Sequence, residues 1–260
     1  MIELMHLIWA PLGTGPFARF VESYSRLSAG VDHHLALVFH GFDGQVDSGP
    51  WDELASGVRH RRVETPGPAL DLDVYRHVAV GSDARRLCLT NSYTEILAAG
   101  WLAALDAALD APGVGAAGVG GSWESAYSSA PIWLKPWRRR RFAPFPNPHL
   151  RTNGLMMDRS TMLDLDWPDT GMSKLAALEL ESGRRGIAAQ LAERGLASVV
   201  VGRDGRSYHF DDWPTSGAFR SGSQGNLLVA DNRTEQYRDA DAVRRRELAD
   251  MAWGVDPLRR

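Results

Sequence analysis

A cluster of polar residues follows directly on an apolar run near the middle of the chain. Residues 86–89 read RLCL, residues 90–94 read TNSYT, and a helix-like segment that carries Trp101 comes next. The run predicts a buried strand, and the polar cluster predicts the turn by which the chain leaves that strand. In an open α/β sheet, ligands bind just beyond the carboxyl ends of the strands. The side chains of this cluster, Asn91 and Tyr93 among them, are therefore expected to face a ligand site.

A second candidate for chemistry is the basic and aromatic run LKPWRRRRF over residues 134–142. Its arginines could clamp a phosphate group, recruit an anionic acceptor lipid, or form a solvated loop. Together with Trp137 and Phe142 they would also suit nucleic acid. Nucleic-acid binding needs many distributed phosphate contacts, however, and the whole chain has a net charge of −3. We therefore expect no nucleic-acid partner and interpret the run as a solvated loop or as a lid over a bound phosphate.

Tryptophans in turn-rich segments are candidates for contacts with sugars, whose apolar faces stack on aromatic rings. Trp123 and Trp133 lie among Gly, Ser and Pro residues, whereas core packing accounts for most tryptophans in most proteins. Further along the chain, His149 and Asn153 flank Arg151. A histidine in such a place is more often a structural hydrogen-bonding group than a catalyst. These residues are candidates for one wall of a binding site.

Strand and helix patterns alternate along the first half of the chain, which predicts an α/β fold with a mostly parallel sheet. The predicted strands are residues 3–9, 34–39, 57–64, 86–89, 114–119, 151–158 and 197–201. The predicted helices are residues 17–30, 71–80, 179–194 and 234–253, with another directly after the polar cluster. Five prolines in residues 131–148 predict a long mobile excursion.

Composition narrows the class of protein. The 260 residues are 44% hydrophobic and 23% charged, which is ordinary for a globular protein. The single cysteine, Cys88, excludes an intrachain disulfide framework and a cysteine-based zinc cluster. The sequence shows no secretory signal and no run of roughly 20 apolar residues that could span a membrane. We expect a cytoplasmic location, with peripheral contact to the inner face of the membrane as the most that the sequence allows.

Several segments resemble family 2 glycosyltransferases of the GT-A fold. The segments that carry the likeness are HLIWAPLGTGPFARFVESY, DLDVYRHVA, LTNSYTEI, RTNGLMMDRSTMLDLDW, Glu181-Ser182-Gly183 and Tyr208-His209, in the order in which the family has its elements. The resemblance covers residues 1–210. It implies a three-layer sandwich with a mostly parallel central sheet, and residues 211–260 would form a C-terminal helical appendage packed on the same domain.

The resemblance also implies roles for individual residues. Pro11, Leu12 and Asp73 would border the nucleoside, Asn91 and Tyr93 would lie at the diphosphate, and Trp123, His149 and Arg151 would shape the acceptor side. Glu181 would be the catalytic base, with Glu179 as the alternative if the register differs by two residues. The family's acidic D-x-D-type pair is replaced here by Asn91-Ser92-Tyr93. A Mn²⁺ or Mg²⁺ ion would then rely on Asn91 with His209 or Glu95, or the reaction would be independent of metal.

By this resemblance the protein is a bacterial glycosyltransferase of polysaccharide biosynthesis. It would move a sugar from a nucleoside-diphosphate sugar to a hydroxyl group of a glycan or a lipid-linked acceptor. The missing acidic pair keeps an alternative open, namely a non-catalytic relative that binds nucleotide or polysaccharide as a scaffold. A second alternative is an RNA-associated protein that uses the arginines of residues 138–141. No Walker-type phosphate loop, dinucleotide-binding glycine motif or hydrolase nucleophile elbow supports another chemistry.

Overall fold

The computed structural model describes residues 1–42, 44, 46–65, 67–168 and 173–254. Its strands are β1 (Ile2–Trp9), β2 (His33–His40), β3 (Arg61–Thr65), β4 (Arg86–Thr90), β5 (Glu95–Ile96), β6 (Val114–Gly118), β7 (Gly121–Ser122), β8 (His149–Leu150), β9 (Leu155–Asp158), β10 (Ala197–Val201), β11 (Ser207–Tyr208) and β12 (Val229–Ala230). Its helices are α1 (Gly15–Arg26), α2 (Gly49–Ala55), α3 (Asp71–Val80), α4 (Trp101–Leu109), α5 (Lys135–Arg141), α6 (Arg159–Leu163), α7 (Lys174–Ser182), α8 (Ile187–Glu193), α9 (Asn232–Arg238) and α10 (Ala242–Trp253). Short 3-10 helices cover Ala10–Leu12, Ile132–Leu134 and Phe210–Thr215.

Eight strands form one central sheet in the order β11-β10-β6-β9-β4-β1-β2-β3. β1, β2, β3 and β4 pair in parallel, as do β6 and β10, and this confirms the mostly parallel α/β sheet predicted from sequence. β9 runs antiparallel between β4 and β6, and the edge strand β11 runs antiparallel to β10. The carboxyl ends of β1, β2, β4 and β6 therefore open on the same edge of the sheet, where ligands bind in such folds.

Alternate side chains of the central strands pack into two separate apolar cores, one on each face of the sheet. Met5 and Leu7 of β1 pack on one face of the sheet, against a cluster that includes residues of α3, α6, α7 and α8. Leu4 and Ile8 pack on the other face, with side chains from α1, α2 and α4. Because successive strand residues point to opposite faces, a strand that is apolar throughout indicates burial on both faces. This arrangement is the three-layer sandwich.

The described structure corrects several predicted elements. The polar cluster is followed by β5, which pairs with β12, and not by a helix; α4 begins only at Trp101. The helix predicted over 179–194 is two helices, α7 and α8, because the chain is extended at Gly183, where a Cβ would lie 2.4 Å from the carbonyl oxygen of Glu179. The predicted excursion contains α5, which includes all four consecutive arginines.

No helix in the described part of the chain is both long enough and apolar enough to cross a membrane.

One buried histidine makes the stability of this fold sensitive to acid. His6 of β1 is stacked on Phe20 with ring centroids 3.5 Å apart, and its Nδ1 lies 3.2 Å from Oγ1 of Thr90. Burial lowers the pKa of His6 to about 3 from the ordinary value of 6.5. The unfolded chain therefore takes up this proton as the pH falls below 6.5, whereas the folded chain does not until the pH approaches 3.

We predict that His6→Gln reduces the loss of stability on acidification. The wild-type free energy of unfolding should fall between pH 7 and pH 5 by about 2 kcal/mol more than that of the variant, because only the wild type has this titrating group. Urea denaturation at the two pH values measures the difference. Parallel losses in the two proteins would contradict the assignment of His6 as an acid-sensitive core residue.

Candidate functional site

The polar turn after β4 is built by its own side chains. Asn91 accepts a hydrogen bond from the backbone N–H of Tyr93 on its Oδ1, at 2.9 Å. The hydroxyl oxygen of Ser92 accepts the N–H of Trp9 at 3.2 Å, which joins this turn to the end of β1. Such an Asx turn holds the chain in a tight reversal without a glycine. The side-chain oxygen of Asn91 is thus already engaged within the turn.

The buried amide of Asn153 connects this turn to two other segments. Its Oδ1 accepts the N–H of Asn91 at 3.0 Å and the hydroxyl of Thr94 at 2.7 Å. Its Nδ2 donates to the carbonyl oxygen of Ala230 in β12 at 3.4 Å. Asn153 itself comes just before β9, and the next residue, Gly154, has a φ of 70° and donates to the carbonyl of Leu89. The end of β4, the start of β9 and the C-terminal segment therefore meet at one side chain.

The residues expected at the nucleoside lie after the end of β1 and in the first turn of α3. Pro11 and Leu12 belong to the 3-10 helix that directly follows β1. Asp73 is in the first turn of α3, where its Oδ2 lies 3.5 Å from the N–H of Leu70. His40, at the end of β2, reaches the hydroxyl of Thr65 and the carbonyl of Ala69 and so fixes the loop that leads into α3.

Asp71, the first residue of α3, is a site residue that sequence reasoning missed. Its surface is exposed, yet enough protein surrounds the carboxyl group for desolvation to raise its pKa. The charge of His40 opposes this shift, and the charge of Glu181 adds to it. Asp71 therefore lies within electrostatic range of the residue expected to be the base. The signal that could have identified it is its position at the start of a helix beside a strand end.

Several charged side chains line a cavity of about 360 Å³, which we call the arginine cavity. Its charged lining residues are Arg138, Arg151, Arg220, Arg233, Glu124 and Glu181, and His149, Phe219 and Met251 are also in its wall. Glu181, His149 and Arg151 were expected near one another from sequence, and the structure brings all three together.

Glu181 has an unusual position for a carboxylate. It is the next-to-last residue of α7, where the helix dipole disfavours negative charge. The helix predicted over residues 179–194 would place Glu181 in its first turn, but α7 begins at Lys174, so stabilisation of a helix start does not account for this carboxylate. Its Oε1 is buried, with no hydrogen-bond partner among the described residues, although Nη1 of Arg151 lies 3.5 Å away. The carboxylate is held by charge but retains an open acceptor position.

Glu179, the alternative base, is engaged elsewhere. Its Oε1 lies 2.5 Å from Nη1 of Arg141, and it lines a different cavity together with Arg140, Arg184 and Arg185.

His149 is a neutral acceptor at the wall of the arginine cavity. Its Nδ1 lies 3.0 Å from the carbonyl oxygen of Asn147, and a carbonyl can only accept, so Nδ1 carries the proton and Nε2 is unprotonated. Burial lowers the pKa of His149, and the nearby Glu181 opposes the shift only in part. His149 is therefore a structural hydrogen-bonding residue that also offers an acceptor atom.

Two of the arginines come from segments that sequence reasoning did not connect with a site. Arg220 is buried in a Gly- and Ser-rich loop and has a φ of 46°, and Arg233 lies in the first turn of α9. Desolvation lowers the pKa of Arg220 to about 10, Glu124 opposes this, and Arg151 and Arg233 add to it. Asp231 caps α9 through the N–H groups of Arg233 and Thr234. The only signal in the sequence that could have identified Arg220 is its isolated position in a Gly- and Ser-rich loop.

Trp123 and Trp133 do not line the arginine cavity. Trp123 packs against Phe145, Phe210 and Trp253 in an aromatic cluster, with ring centroids 5.0 to 6.1 Å apart. Its neighbour Glu124 lines the cavity instead. Trp133 is 76% exposed, away from this cluster.

Asn91 and His209, the pair expected to bind a metal ion, do not come together. His209 follows β11, four strand positions from β4, which amounts to roughly 19 Å across the sheet. It lines a second, larger cavity of about 450 Å³ that shares His149 and Glu181 with the arginine cavity. Asn91 has its oxygen engaged, and a tyrosine such as Tyr93 is a poor ligand for a hard cation. The described residues contain no group of three or more His, Cys, Asp or Glu side chains that could hold a metal.

Comparison with solved structures identifies the fold. A mannosyltransferase from Pyrobaculum calidifontis, solved with GDP-Man and Mn²⁺, matches with a TM-score of 0.51 at 13% identity over 76% of this chain and 54% of that chain. GalNAc-T7, solved with UDP, GalNAc and Mn²⁺, matches with a TM-score of 0.46 at 12% identity over 65% and 37% of the two chains. Glucosyl-3-phosphoglycerate synthase from Mycobacterium tuberculosis gives a TM-score of 0.42 at 14% identity, over 62% and 56%.

The likeness to the mannosyltransferase shows that the chain has a GT-A-like fold. The chain spans about half the length of the mannosyltransferase it matches. No family model matches the sequence, and no curated protein matches it either.

We predict that Asn153→Ala destabilises the site and the fold together. The N–H of Asn91 and the buried hydroxyl of Thr94 would lose their common acceptor, which costs about 2 kcal/mol for buried groups. Urea denaturation measures the loss, and Asn232→Ala on the exposed surface of α9 is the matched control, expected within about 0.5 kcal/mol of wild type. Equal stabilities for the two variants would show that Asn153 does not hold these segments together.

Proposed function

We propose that the protein is a glycosyltransferase that moves a sugar from a nucleoside-diphosphate sugar to a hydroxyl group of a glycan or a lipid-linked acceptor. The observation that carries the proposal is Glu181, a carboxylate with an open buried acceptor atom in a cavity beside the GT-A-like sheet. The mannosyltransferase of the same fold was solved with GDP-Man, a donor of this class. We assign the protein to bacterial polysaccharide biosynthesis at the cytoplasmic face of the membrane.

In this proposal the donor and the acceptor approach from opposite sides of Glu181. Pro11, Leu12, Asp71 and Asp73 border the nucleoside, because they lie at the ends of β1 and at the start of α3. The turn of Asn91 and Tyr93 lies beside the diphosphate. His149 forms the acceptor side, and Arg151 lies between that side and the diphosphate, next to Glu181. Trp123 packs outside the cavity, and its neighbour Glu124 belongs to the cavity wall.

The proposed reaction is a single displacement at the anomeric carbon. The acceptor oxygen forms a bond to that carbon, the bond from the carbon to the diphosphate oxygen breaks, and its electron pair leaves with the diphosphate. The proton of the acceptor hydroxyl passes to Oε1 of Glu181, which acts as general base. The carboxylate also faces the positive charge that develops on the sugar ring. A single displacement inverts the anomeric configuration.

We predict that Glu181→Gln abolishes most turnover and preserves donor binding. The amide keeps the shape of the side chain but cannot accept the proton, so kcat should fall by about 10²- to 10⁴-fold. The variant should bind the donor at least as tightly as the wild type does, since the amide keeps the shape of the side chain and removes a negative charge beside Arg151. The assay follows release of nucleoside diphosphate from UDP-, GDP- and dTDP-linked sugars, with a bacterial membrane lipid extract as acceptor. Calorimetry measures donor affinity.

Glu179→Gln is the matched control for this experiment. Glu179 lies two residues earlier on α7 and pairs with Arg141, so its variant should retain wild-type turnover. A loss of turnover in Glu179→Gln alone would make Glu179 the base. A wild-type protein that binds a nucleoside diphosphate but turns over none of the donors would favour the scaffold alternative.

A lipid-linked acceptor is favoured by an exposed surface formed by residues 131–140, which is apolar in its first half and basic at its end. Ile132 is 80% exposed, Trp133 is 76% exposed, and Trp137 is 44% exposed. Arg139 and Arg140 of the same segment are exposed beside them. Apolar and aromatic side chains flanked by arginines are typical of surfaces that dip into the interface of an anionic bilayer. The segment also supplies Arg138 to the arginine cavity, so a membrane bound here would lie close to the site.

We predict that this surface binds anionic vesicles. The wild-type protein should sediment with vesicles of phosphatidylglycerol and phosphatidylcholine, and the double variant Ile132→Ser with Trp133→Ser should bind at least about tenfold more weakly because it loses buried apolar area. Val243→Ser is the control, since Val243 is a 69% exposed apolar residue on α10. Equal binding by all three proteins, or none by the wild type, would contradict the proposal. Binding of RNA that tracked residues 138–141 would support the RNA alternative instead.

A further inference from the structure

We infer that the arginine cavity binds the diphosphate of the sugar donor, with guanidinium groups supplying the positive charge that a divalent cation would otherwise bring. The inference rests on the proposed function, because it identifies how the donor of that reaction is held. It starts from the residues at the end of β4, where Asn91 and Tyr93 are poor ligands for a hard cation such as Mn²⁺.

The cavity lies next to the turn at which the diphosphate is expected. Arg151 is two residues before Asn153, whose side chain accepts the N–H of Asn91. Arg233 is three residues after Ala230, whose carbonyl accepts a hydrogen bond from the same side chain. Two arginines of the cavity therefore come from the segments that Asn153 ties to the end of β4.

The charges in the cavity do not balance without a bound anion. Its lining has four arginines and two glutamates. Asp231 also acts on Arg151 and Arg220, and counting its charge still leaves one positive charge in excess. Like charges packed this closely raise the free energy of the empty site, and a bound anion removes that cost.

Unused hydrogen-bond donors point to the same ligand. The Nε atoms of Arg138, Arg151 and Arg220 are buried and have no hydrogen-bond partner among the described residues. A buried donor without a partner costs free energy, and a guanidinium group presents its donors in a planar fork that fits the oxygens of a phosphate group. Arg220 gives the strongest support for a bound anion, because the residue is only 4% exposed and desolvation lowers its pKa.

The position also suits the chemistry of the leaving group. Glu181 and Arg151 lie 3.5 Å apart across the wall of the cavity, so the proton acceptor and the phosphate-binding group are neighbours. When the bond to the anomeric carbon breaks, its electron pair passes to the diphosphate oxygen. Preorganised positive charge at that oxygen stabilises the developing negative charge in the transition state.

Calorimetric titration of the full chain with nucleotides in the presence of EDTA tests the inference. The titrants are UDP, GDP and dTDP, together with uridine, guanosine and thymidine. At least one diphosphate should bind without metal, and adding Mn²⁺ should change its affinity by less than about twofold. Arg233→Gln should weaken that diphosphate by about tenfold and leave the matching nucleoside unaffected, because only the phosphate contact is lost. Arg233 is exposed, so its variant should fold normally.

Two further variants complete the design. Arg220→Lys keeps the charge but removes the planar fork, and it should also weaken the diphosphate selectively. Arg246→Gln on the exposed surface of α10 removes one arginine outside the cavity and should bind like wild type.

The outcomes separate this inference from the proposed function. Diphosphate binding that disappears in EDTA, or that is unchanged in Arg233→Gln and Arg220→Lys, overturns the inference and leaves the transferase proposal standing. If these two variants instead lose binding of inorganic phosphate while keeping full diphosphate affinity, the cavity belongs to an anionic acceptor, and the inference is wrong. If no nucleoside diphosphate binds with or without Mn²⁺, the proposed function itself fails.

Discussion

The hydrogen bonds of the Asn153 side chain are the constraint on which the site depends. This single buried amide accepts hydrogen bonds from the N–H of Asn91 and the hydroxyl of Thr94 in the turn after β4. It also donates a hydrogen bond to the carbonyl of Ala230 in β12. An apolar side chain could fill the same space, but it would leave a buried N–H and a buried hydroxyl without an acceptor. The chain can follow this path only because Gly154 adopts a positive φ, where a Cβ would lie 2.5 Å from Val119. Local backbone geometry and polar satisfaction thus fix three segments that are far apart in sequence.

Because β12 is tied to the end of β4, the C-terminal residues complete the cavity. They contribute Arg220 and Arg233 to its lining, and Trp253 packs on Trp123 with ring centroids 5.9 Å apart. The backbone N–H of Trp123 donates to the carbonyl of Ala252, which joins the end of α10 to the segment that carries Glu124. The arginine cavity is thus lined by residues of both the predicted transferase region and the predicted appendage.

The parts of the fold that sequence could predict are those set by local periodicity. The apolar runs of β1, β2, β4 and β10 and the pattern of α3 are strong enough to specify an element by themselves. The antiparallel direction of β9 and the pairing of β5 with β12 are decided by contacts between distant segments, which no local pattern reports. The break after Ser182 depends on the extended backbone of Gly183, a position where the Cβ of any other residue would lie 2.4 Å from the carbonyl oxygen of Glu179, and this close approach exists only in the folded chain.

The residues of the candidate site also differ in whether the sequence alone could identify them. Glu181, His149 and Arg151 were found because a family resemblance assigned them roles, and the structure places them together. Arg220 and Arg233 were missed because arginine is abundant in this chain, and only burial and the lack of partners distinguish these two. The basic run of residues 138–141 drew attention by its composition, yet among its four arginines only Arg138 lines the arginine cavity.

The pairing of Glu181 with Arg151 connects donor binding to catalysis on the proposed function. In the free protein Arg151 is drawn to Glu181, and although desolvation works against it, this carboxylate helps to raise the pKa of the arginine. A diphosphate in the cavity would compete for the same guanidinium group, since phosphate oxygens are strong acceptors for it. Glu181 would then lose part of its charge partner, and its buried Oε1 would be available to accept a hydrogen bond from the acceptor hydroxyl. Occupation of the donor site would thereby prepare the base for an acceptor hydroxyl, and an acceptor arriving first would meet a carboxylate still held by Arg151.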